Sequence, residues 1–276
     1  NKYMTLLDGK ATAQEEKDRL KKIVDSGVHR KLAIVQVGDN PASNTYIKNK
    51  VKACEYVGVE CEVKRFDESI TEEKLRDEID VLNEDESVNG IIVQLPLPEH
   101  IFEGRVTNRI NPVKDVDGFT NINAGRLMHG GRLFVPATPL GIVKLLEKYN
   151  IKTDGKECVI VGRSNIVGKP MAHLMLDMDA TVTVAHSHTP NLKEVCKKAD
   201  ILIVAIGKPK MINREYIKEG AVVIDVGINR DENGKLCGDV DFDDVKDIVS
   251  AITPVPGGVG PMTVAMLLNN VVRRRE

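Results

Sequence analysis

"VIVGRSNIVGKP", residues 159–170, joins an apolar run to a glycine-bearing turn. An apolar run, Cys158 to Val161, ends in Gly162; Ser164 follows, and Gly168 comes next. Strand, tight turn and helix start in that order resemble a dinucleotide-binding fingerprint. The usual spelling is G-x-G-x-x-G. Here a serine replaces the middle glycine, the last glycine comes one residue late, and Arg163 sits inside the turn. Such a loop needs a tight turn, close backbone approach and a helix N-terminus aimed at phosphate. Gly162 supplies the turn. Serine is the next smallest residue for close approach, with a hydroxyl to offer a phosphate, and Gly168 lets the helix pack on the sheet. An ordinary glycine-containing βα turn reads the same way; the flanking strand and helix favour the dinucleotide.

The lack of an acid at the next strand end explains the arginine. NAD sites place an acidic residue about 20 positions past the glycines, on the ribose 2′-hydroxyl. Here the next strand runs into "AHSHT", residues 185–189, which holds no acid. A 2′-phosphate asks instead for a guanidinium and a hydroxyl. Arg163 and Ser187 fit, with His186 and His188 as weaker candidates, so NADP is expected rather than NAD. The alternative is a solvated Arg163. Two histidines with no third ligand are a weak metal signal, and no metal is expected.

Around this turn, "ECVIVG" (157–162), "TVTVA" (181–185), "ILIVAIG" (201–207) and "AVVIDVG" (221–227) alternate with helical stretches from about 168 and near 191–198. Upstream, "LAIVQV" (32–37), a helix over roughly 43–57, "CEVKRF" (61–66), a helix opened by a Ser69-x-x-Glu72 capping box, and "GIIVQLPL" (90–97) form a second alternating set. Apolar strands alternating with helices predict parallel sheets. "TPLGIVKLLEKYN" (138–150) reads as a helix, and "TVAMLLNNVVRR" (263–274) as an amphipathic one. The expected fold is therefore α/β: two doubly wound domains with a cleft between them, the C-terminal one of Rossmann type. The expected boundaries are 1–138 for the first domain and 139–261 for the second, with the helix 262–276 packing back on the first.

Composition excludes several classes. In 276 residues, 42% are hydrophobic and 29% charged, as in globular proteins, and a net charge of -2 gives no field for nucleic acid or anionic membrane. No apolar run approaches a membrane span, and no signal-peptide pattern is present. The five cysteines are odd in number and lack C-x-x-C spacing, which suggests reduced thiols in a cytoplasm.

The first set carries the polar candidates. "SNTYIKNKVKAC" (43–54) puts Tyr46 and Lys50 on one helix face. Most such pairs are a surface tyrosine and a solvated lysine. Short-chain dehydrogenases use this spacing too, but after their glycine motif; here the pair comes long before Gly162. Gln94 stands at the end of an apolar strand, where α/β sheets place ligands, or where a buried amide merely needs partners. "NPVKDVDGF" (111–119) sets Asp115 and Asp117 beside Gly118, which alone is also an ordinary Asp-Gly turn.

Taken together, "TYIKNK", "VQLPLP", "PVKDVDGF", "VGRSNIVGKP", "DVGIN" and "TPVPGGVGPMT" resemble the bifunctional methylenetetrahydrofolate dehydrogenase/methenyltetrahydrofolate cyclohydrolase family, in family order along nearly the whole chain. The resemblance implies an N-terminal folate domain, a C-terminal NADP domain and a cytoplasmic homodimer in one-carbon metabolism that feeds purine biosynthesis. It implies oxidation of 5,10-methylenetetrahydrofolate with NADP, then hydrolysis of the methenyl product to 10-formyltetrahydrofolate. Lys50 matches the family's catalytic lysine, Tyr46 the tyrosine that stacks on folate, Gln94 the lysine's partner and Asp117 the carboxylate that grips the pterin. Gly162, Arg163, Ser164, Ser187 and Ile228 match the NADP contacts, and Gly257, Gly258 and Pro261 the substrate-binding turn. No synthetase-like extension accompanies these motifs, so that third activity is not expected. The rival readings are another two-domain NADP oxidoreductase, of shikimate dehydrogenase type, and a non-catalytic NADP- or folate-binding protein.

Overall fold

The computed structural model describes residues 3–273. In chain order the elements are β1 (Thr5–Leu6), α1 (Gly9–Asp25), β2 (Lys31–Val37), α2 (Pro41–Val57), β3 (Glu60–Phe66), α3 (Glu72–Glu84), β4 (Gly90–Val93), α4 (Glu103–Thr107), α5 (Asn121–His129) and α6 (Ala137–Lys148). Next come β5 (Glu157–Val161), α7 (Gly168–Asp177), β6 (Thr181–Ala185), α8 (Leu192–Lys197), β7 (Ile201–Val204), β8 (Val222–Asp225), β9 (Asn229–Arg230), β10 (Leu236–Cys237), α9 (Phe242–Val245), β11 (Ala251–Ile252) and α10 (Val259–Val272). The chain forms two compact units: residues 14–137 with those from 264 onward, and residues up to 13 with 138–263. Among the described residues no helix is long and apolar enough to cross a membrane.

The first unit holds a three-stranded parallel sheet in the order β3-β2-β4. The central strand β2 is buried on both faces: Leu32, Ala33, Ile34 and Val35 have no exposed surface. This is why its sequence is a continuous apolar run rather than an alternation. Leu75, Ile79 and Leu82 of α3, spaced for one helix face, pack with Ala33, Val35, Ile91 and Val93. Thr71, not Ser69, caps α3 by accepting from Lys74 N–H at 3.1 Å. Ser69 is taken up by a turn instead, its N–H and hydroxyl both donating to Asp67. Glu72 accepts from Phe102 N–H at 2.7 Å, so the expected capping box does not form.

The second unit holds a six-stranded sheet, β1-β11-β8-β7-β5-β6, parallel throughout. β5 lies between β6 and β7, so the direction of winding reverses at β5, and Gly162 stands at its C-terminal end. That is the topological switch point at which such sheets bind ligands. The two-residue strands β1, β9, β10 and β11 are too short to show a period of two, and no sequence pattern marks them.

The C-terminal helix α10 departs from the amphipathic reading, since every residue from 258 to 272 is buried or half-buried. Asn270 is the one buried polar side chain of α10, and its surroundings need it: its amide donates to the carbonyls of Val116 and Val135 at 3.0 and 2.9 Å. Asn270→Ala leaves two enclosed carbonyls unbonded and is expected to destabilise the unit by about 2–4 kcal/mol. Urea unfolding checks this, and a loss under about 0.5 kcal/mol would contradict it.

Candidate active site

Helix α2 is built to begin and end where it does. Asn40 caps it by accepting from Ser43 N–H, Pro41 occupies the first turn, and Gly58 closes it at φ 97°. Tyr46 is half exposed (50%) and Lys50 half-buried one turn later. Gln94 immediately follows β4, and its N–H donates to Val35 carbonyl at 2.9 Å, extending the ladder by one residue. Its side chain then meets the helix: Lys50 Nζ donates to Gln94 Oε1 at 2.8 Å. The two residues expected to partner each other thus do so, across α2 and the end of β4.

A second glutamine organises the same edge. Gln36, only 2% exposed in β2, accepts from Arg65 Nε at 3.0 Å and donates to Asn44 Oδ1 at 2.7 Å. Asn44 in turn donates to Asp39 at 2.8 Å, so β3, β2 and the first turns of α2 are tied by one polar chain. The signal stands in "LAIVQV", a lone amide in an apolar strand like Gln94 in "VQLPLP".

The charged residues of "PVKDVDGF" divide by role. Lys114 is buried and donates to the carbonyls of Leu82, Asn83 and Asp85. Asp115 is buried and accepts from Phe119 N–H, Thr120 N–H and Asn123 Nδ2. These two fix the loop. Asp117 lies in charge range of Lys50; burial pushes its carboxyl up to about 6, with Lys50 pulling it down and Asp115 pushing it further up. A carboxyl so placed needs hydrogen-bond donors from a partner to be comfortable as an anion.

In the second unit the unusual fingerprint closes. Gly162 takes φ 124°, and a Cβ there would overlap Ala205's carbonyl oxygen. A Cβ on Gly168 would overlap Gly162's carbonyl, so α7 starts directly against the turn. Ser164 absorbs the extra residue: its Oγ accepts from Val167 N–H at 3.1 Å and Gly168 N–H at 3.4 Å, and Lys169 N–H reaches Ser164 carbonyl at 3.0 Å. The serine is therefore first a cap, and its hydroxyl proton is still available to a phosphate. Arg163, Ser187 and His188 are exposed. Arg163 lies close enough to His186 for its charge, after burial, to hold that imidazole below its usual range. The backbone cradle, the helix N-terminus and a cation with no acid at the end of β6 fit a phosphorylated dinucleotide. Ile228 (53% exposed), Gly257, Gly258 and Pro261 line one cavity of about 150 Å³ beside Asp225 and Pro254.

Comparison with known proteins shows the family. Residues 7–117 match the family model of the tetrahydrofolate dehydrogenase/cyclohydrolase catalytic domain, and residues 136–276 that of its NAD(P)-binding domain. The chain belongs to the tetrahydrofolate dehydrogenase/cyclohydrolase family. It is 57% identical to the bifunctional protein FolD of Agathobacter rectalis, covering 97% of each chain. The solved bifunctional FolD of Campylobacter jejuni superposes with a TM-score of 0.95 at 50% identity, covering 98% of each chain. The Trypanosoma brucei FolD, solved with NADP cofactor and inhibitor, gives a TM-score of 0.92 at 37% identity, over 97% of this chain and 96% of that one. Solved shikimate dehydrogenases share the fold alone, at 14% identity.

Within this family frame the histidines of "AHSHT" acquire a structural account. His186 N–H donates to Thr189 Oγ1 at 2.9 Å, and His188 N–H donates to His186 Nδ1 at 3.1 Å. His186 thus closes the turn that presents Ser187. Among the described residues no group of three or more His, Cys, Asp or Glu is arranged to hold a metal ion.

The raised Asp117 carboxyl has a sign that stability measurements can read. Its value is about 6 in the folded chain against 3.8 ordinarily. Between about pH 4 and 6 the folded chain holds a proton that the unfolded chain has released, so the fold loses stability across that window and bears the full cost of the charged form above about pH 6. Asp117→Asn is expected to stabilise the protein by about 1–3 kcal/mol at pH 7, a gain that vanishes as pH falls towards about 4. Denaturant melts of both proteins at the two pH values check this; equal stability at pH 7 would contradict it.

Proposed function

We propose that Lys50 is the proton acceptor and Gln94 its holder in a chain that oxidises 5,10-methylenetetrahydrofolate with NADP and hydrolyses the 5,10-methenyl product to 10-formyltetrahydrofolate. The observation that carries this reading is the 2.8 Å bond between Lys50 Nζ and Gln94 Oε1, made at a strand end within charge range of Asp117. The methenyl substrate is a cation, so its bridging carbon is already open to water. As water adds, its oxygen bonds to that carbon and a water proton passes to Lys50 Nζ, giving a neutral carbinolamine; its hydroxyl then loses its proton as the bond from the bridge carbon to N5 breaks and N5 takes a proton, which leaves the formyl group on N10. A lysine accepts a proton only as the neutral amine, and a neighbouring cationic substrate favours that form. Gln94 uses one N–H of the amine and adds no charge.

Asp117 accepts from the pterin's 2-amino and ring N–H groups, the donors its enclosed carboxyl calls for. Tyr46, exposed one turn before Lys50, offers its ring for stacking. The family resemblance also assigns substrate contacts to Gly257, Gly258 and Pro261, which line a cavity of the second unit. When bound, NADP supplies the hydride acceptor. Gly162, Ser164 and the start of α7 hold its pyrophosphate, Arg163 and Ser187 its 2′-phosphate, and Ile228 packs against it. The free thiols of all five cysteines suit a cytoplasmic enzyme, and the family resemblance supports a homodimer and a supply role in purine biosynthesis.

Mixed with methylenetetrahydrofolate and NADP, the protein is expected to form NADPH and then consume the methenyl compound; no NADPH would overturn the reading. Arg163→Ala is expected to weaken NADP by about 1.5–3 kcal/mol while leaving NAD nearly unchanged, because one charge-assisted contact is lost. Titration calorimetry with both cofactors decides it, and equal losses would remove Arg163 from the 2′-phosphate site.

A further inference from the structure

One buried carboxylate in the second unit takes no part in these steps. Asp239, with no exposed surface, lies after β10 in the segment "GDVD". Its Oδ2 accepts from Ile206 N–H at 2.8 Å and Gly207 N–H at 3.1 Å. Its Oδ1 accepts from Lys208 N–H at 2.9 Å and Asn229 Nδ2 at 2.8 Å. Three consecutive backbone N–H groups converging on one point form a nest of the kind that binds anions. Here the protein fills the nest with its own side chain.

The groups so gathered adjoin residues proposed above to meet NADP. Residues 206–208 continue from Ala205, whose carbonyl oxygen leaves room for nothing larger than Gly162. Asn229 directly follows Ile228, which lines the cavity with Gly257, Gly258 and Pro261. The chain around Asp239 is shaped to admit it. A Cβ on Gly227 would overlap the Asp239 carboxylate, and one on Gly238 would overlap that of Asp225. Asp225 completes the frame by accepting from Gly227, Asp239 and Val240 N–H at 3.0, 2.9 and 3.0 Å. Only a carboxylate satisfies the four donors, because each oxygen takes two of them and an amide would turn an NH2 towards N–H groups.

We propose that Asp239 is a positioning residue for the dehydrogenase half of the reaction: it sets the 206–208 loop and the Ile228–Asn229 wall at the distance NADP needs. This rests on the reading of the second unit as the NADP site. Lys50 and Gln94, assigned to hydrolysis, lie in the other unit, hydrolysis needs no NADP, and none of the groups bonded to the Asp239 carboxylate comes from Gly257, Gly258 or Pro261, so the two activities separate the effects.

The test compares the parent, Asp239→Ala and Asn229→Ala. Three readouts are taken: NADP affinity by calorimetry, dehydrogenase KM and kcat, and hydrolysis of methenyltetrahydrofolate without NADP. For Asp239→Ala the expected result is a rise in NADP Kd and KM of about tenfold or more, the scale of one lost charged hydrogen bond. Hydrolysis stays within about twofold of the parent, since no hydrogen bond of its machinery changes. Added formate, which refits the emptied nest, restores part of the NADP affinity of Asp239→Ala and does nothing for the parent. Asn229→Ala shifts NADP affinity in the same direction by a smaller factor, and decides the matter if Asp239→Ala does not fold. Parent NADP affinity in a folded Asp239→Ala, or in Asn229→Ala when the first variant is insoluble, overturns the proposal. So does a parallel loss of both activities that formate leaves unchanged, which marks a general structural role. A parent that binds no NADP overturns the cofactor reading itself, a result distinct from either of these.

Discussion

A buried ionic group has to be met by hydrogen bonds or it destabilises the fold, and this constraint shapes the loops at the strand ends of both units. Lys114 spends its ammonium on three carbonyls, Asp115 its carboxylate on three donors, Asp239 on four. Each is buried, and each converts a stretch of irregular backbone into a fixed surface. Asp117 lies in the loop that Lys114 and Asp115 fix, while Lys50 lies on α2. Lys50 meets a neutral amide instead of a carboxylate, and Asp117 carries an enclosed carboxyl pushed up to about 6. The same residue types therefore differ in whether the protein itself saturates them, and the site roles proposed for Lys50 and Asp117 rest on that difference.

The range of each interaction decides how much of this is legible in the sequence. β2, β4, β5 and β7 are visible because a strand buried on both faces has no choice but a continuous apolar run. The dinucleotide turn is visible because Gly162 and Gly168 stand where a Cβ has no room. Its misspelling becomes intelligible only in three dimensions, where Ser164 caps the extra residue. The capping box expected at Ser69 fails because Asp67 competes for that serine's hydrogen bonds, a contest between neighbours that a motif does not record.

The site divides along the same line. Tyr46 and Lys50 share a helix face by local spacing, and the end of β4 fixes Gln94 by strand pattern. That Lys50 meets Gln94 depends on the packing of α2 beside β4, which no window of sequence contains. The separation of Asp115 from Asp117 is subtler still. Two aspartates two residues apart differ because one points to Thr120 N–H and Asn123, while the other is enclosed near Lys50. Asp239 is hidden from a sequence reading for a related reason. "GDVD" reads as a polar loop, and its four donors come from segments 10 to 33 positions away.

The central claim is that the amine of Lys50 takes the proton from water during hydrolysis, while hydride transfer makes no such demand. Lys50→Met, given methylenetetrahydrofolate and NADP, tests it through the ratio of methenyl to formyl product over time, at a pH where spontaneous hydrolysis is slow. Loss of a general base lowers the rate by about 10²–10⁴-fold, so the variant is expected to form NADPH and accumulate the methenyl compound. Hydrolysis of methenyltetrahydrofolate by Lys50→Met at the parent rate would contradict the account and place the base elsewhere.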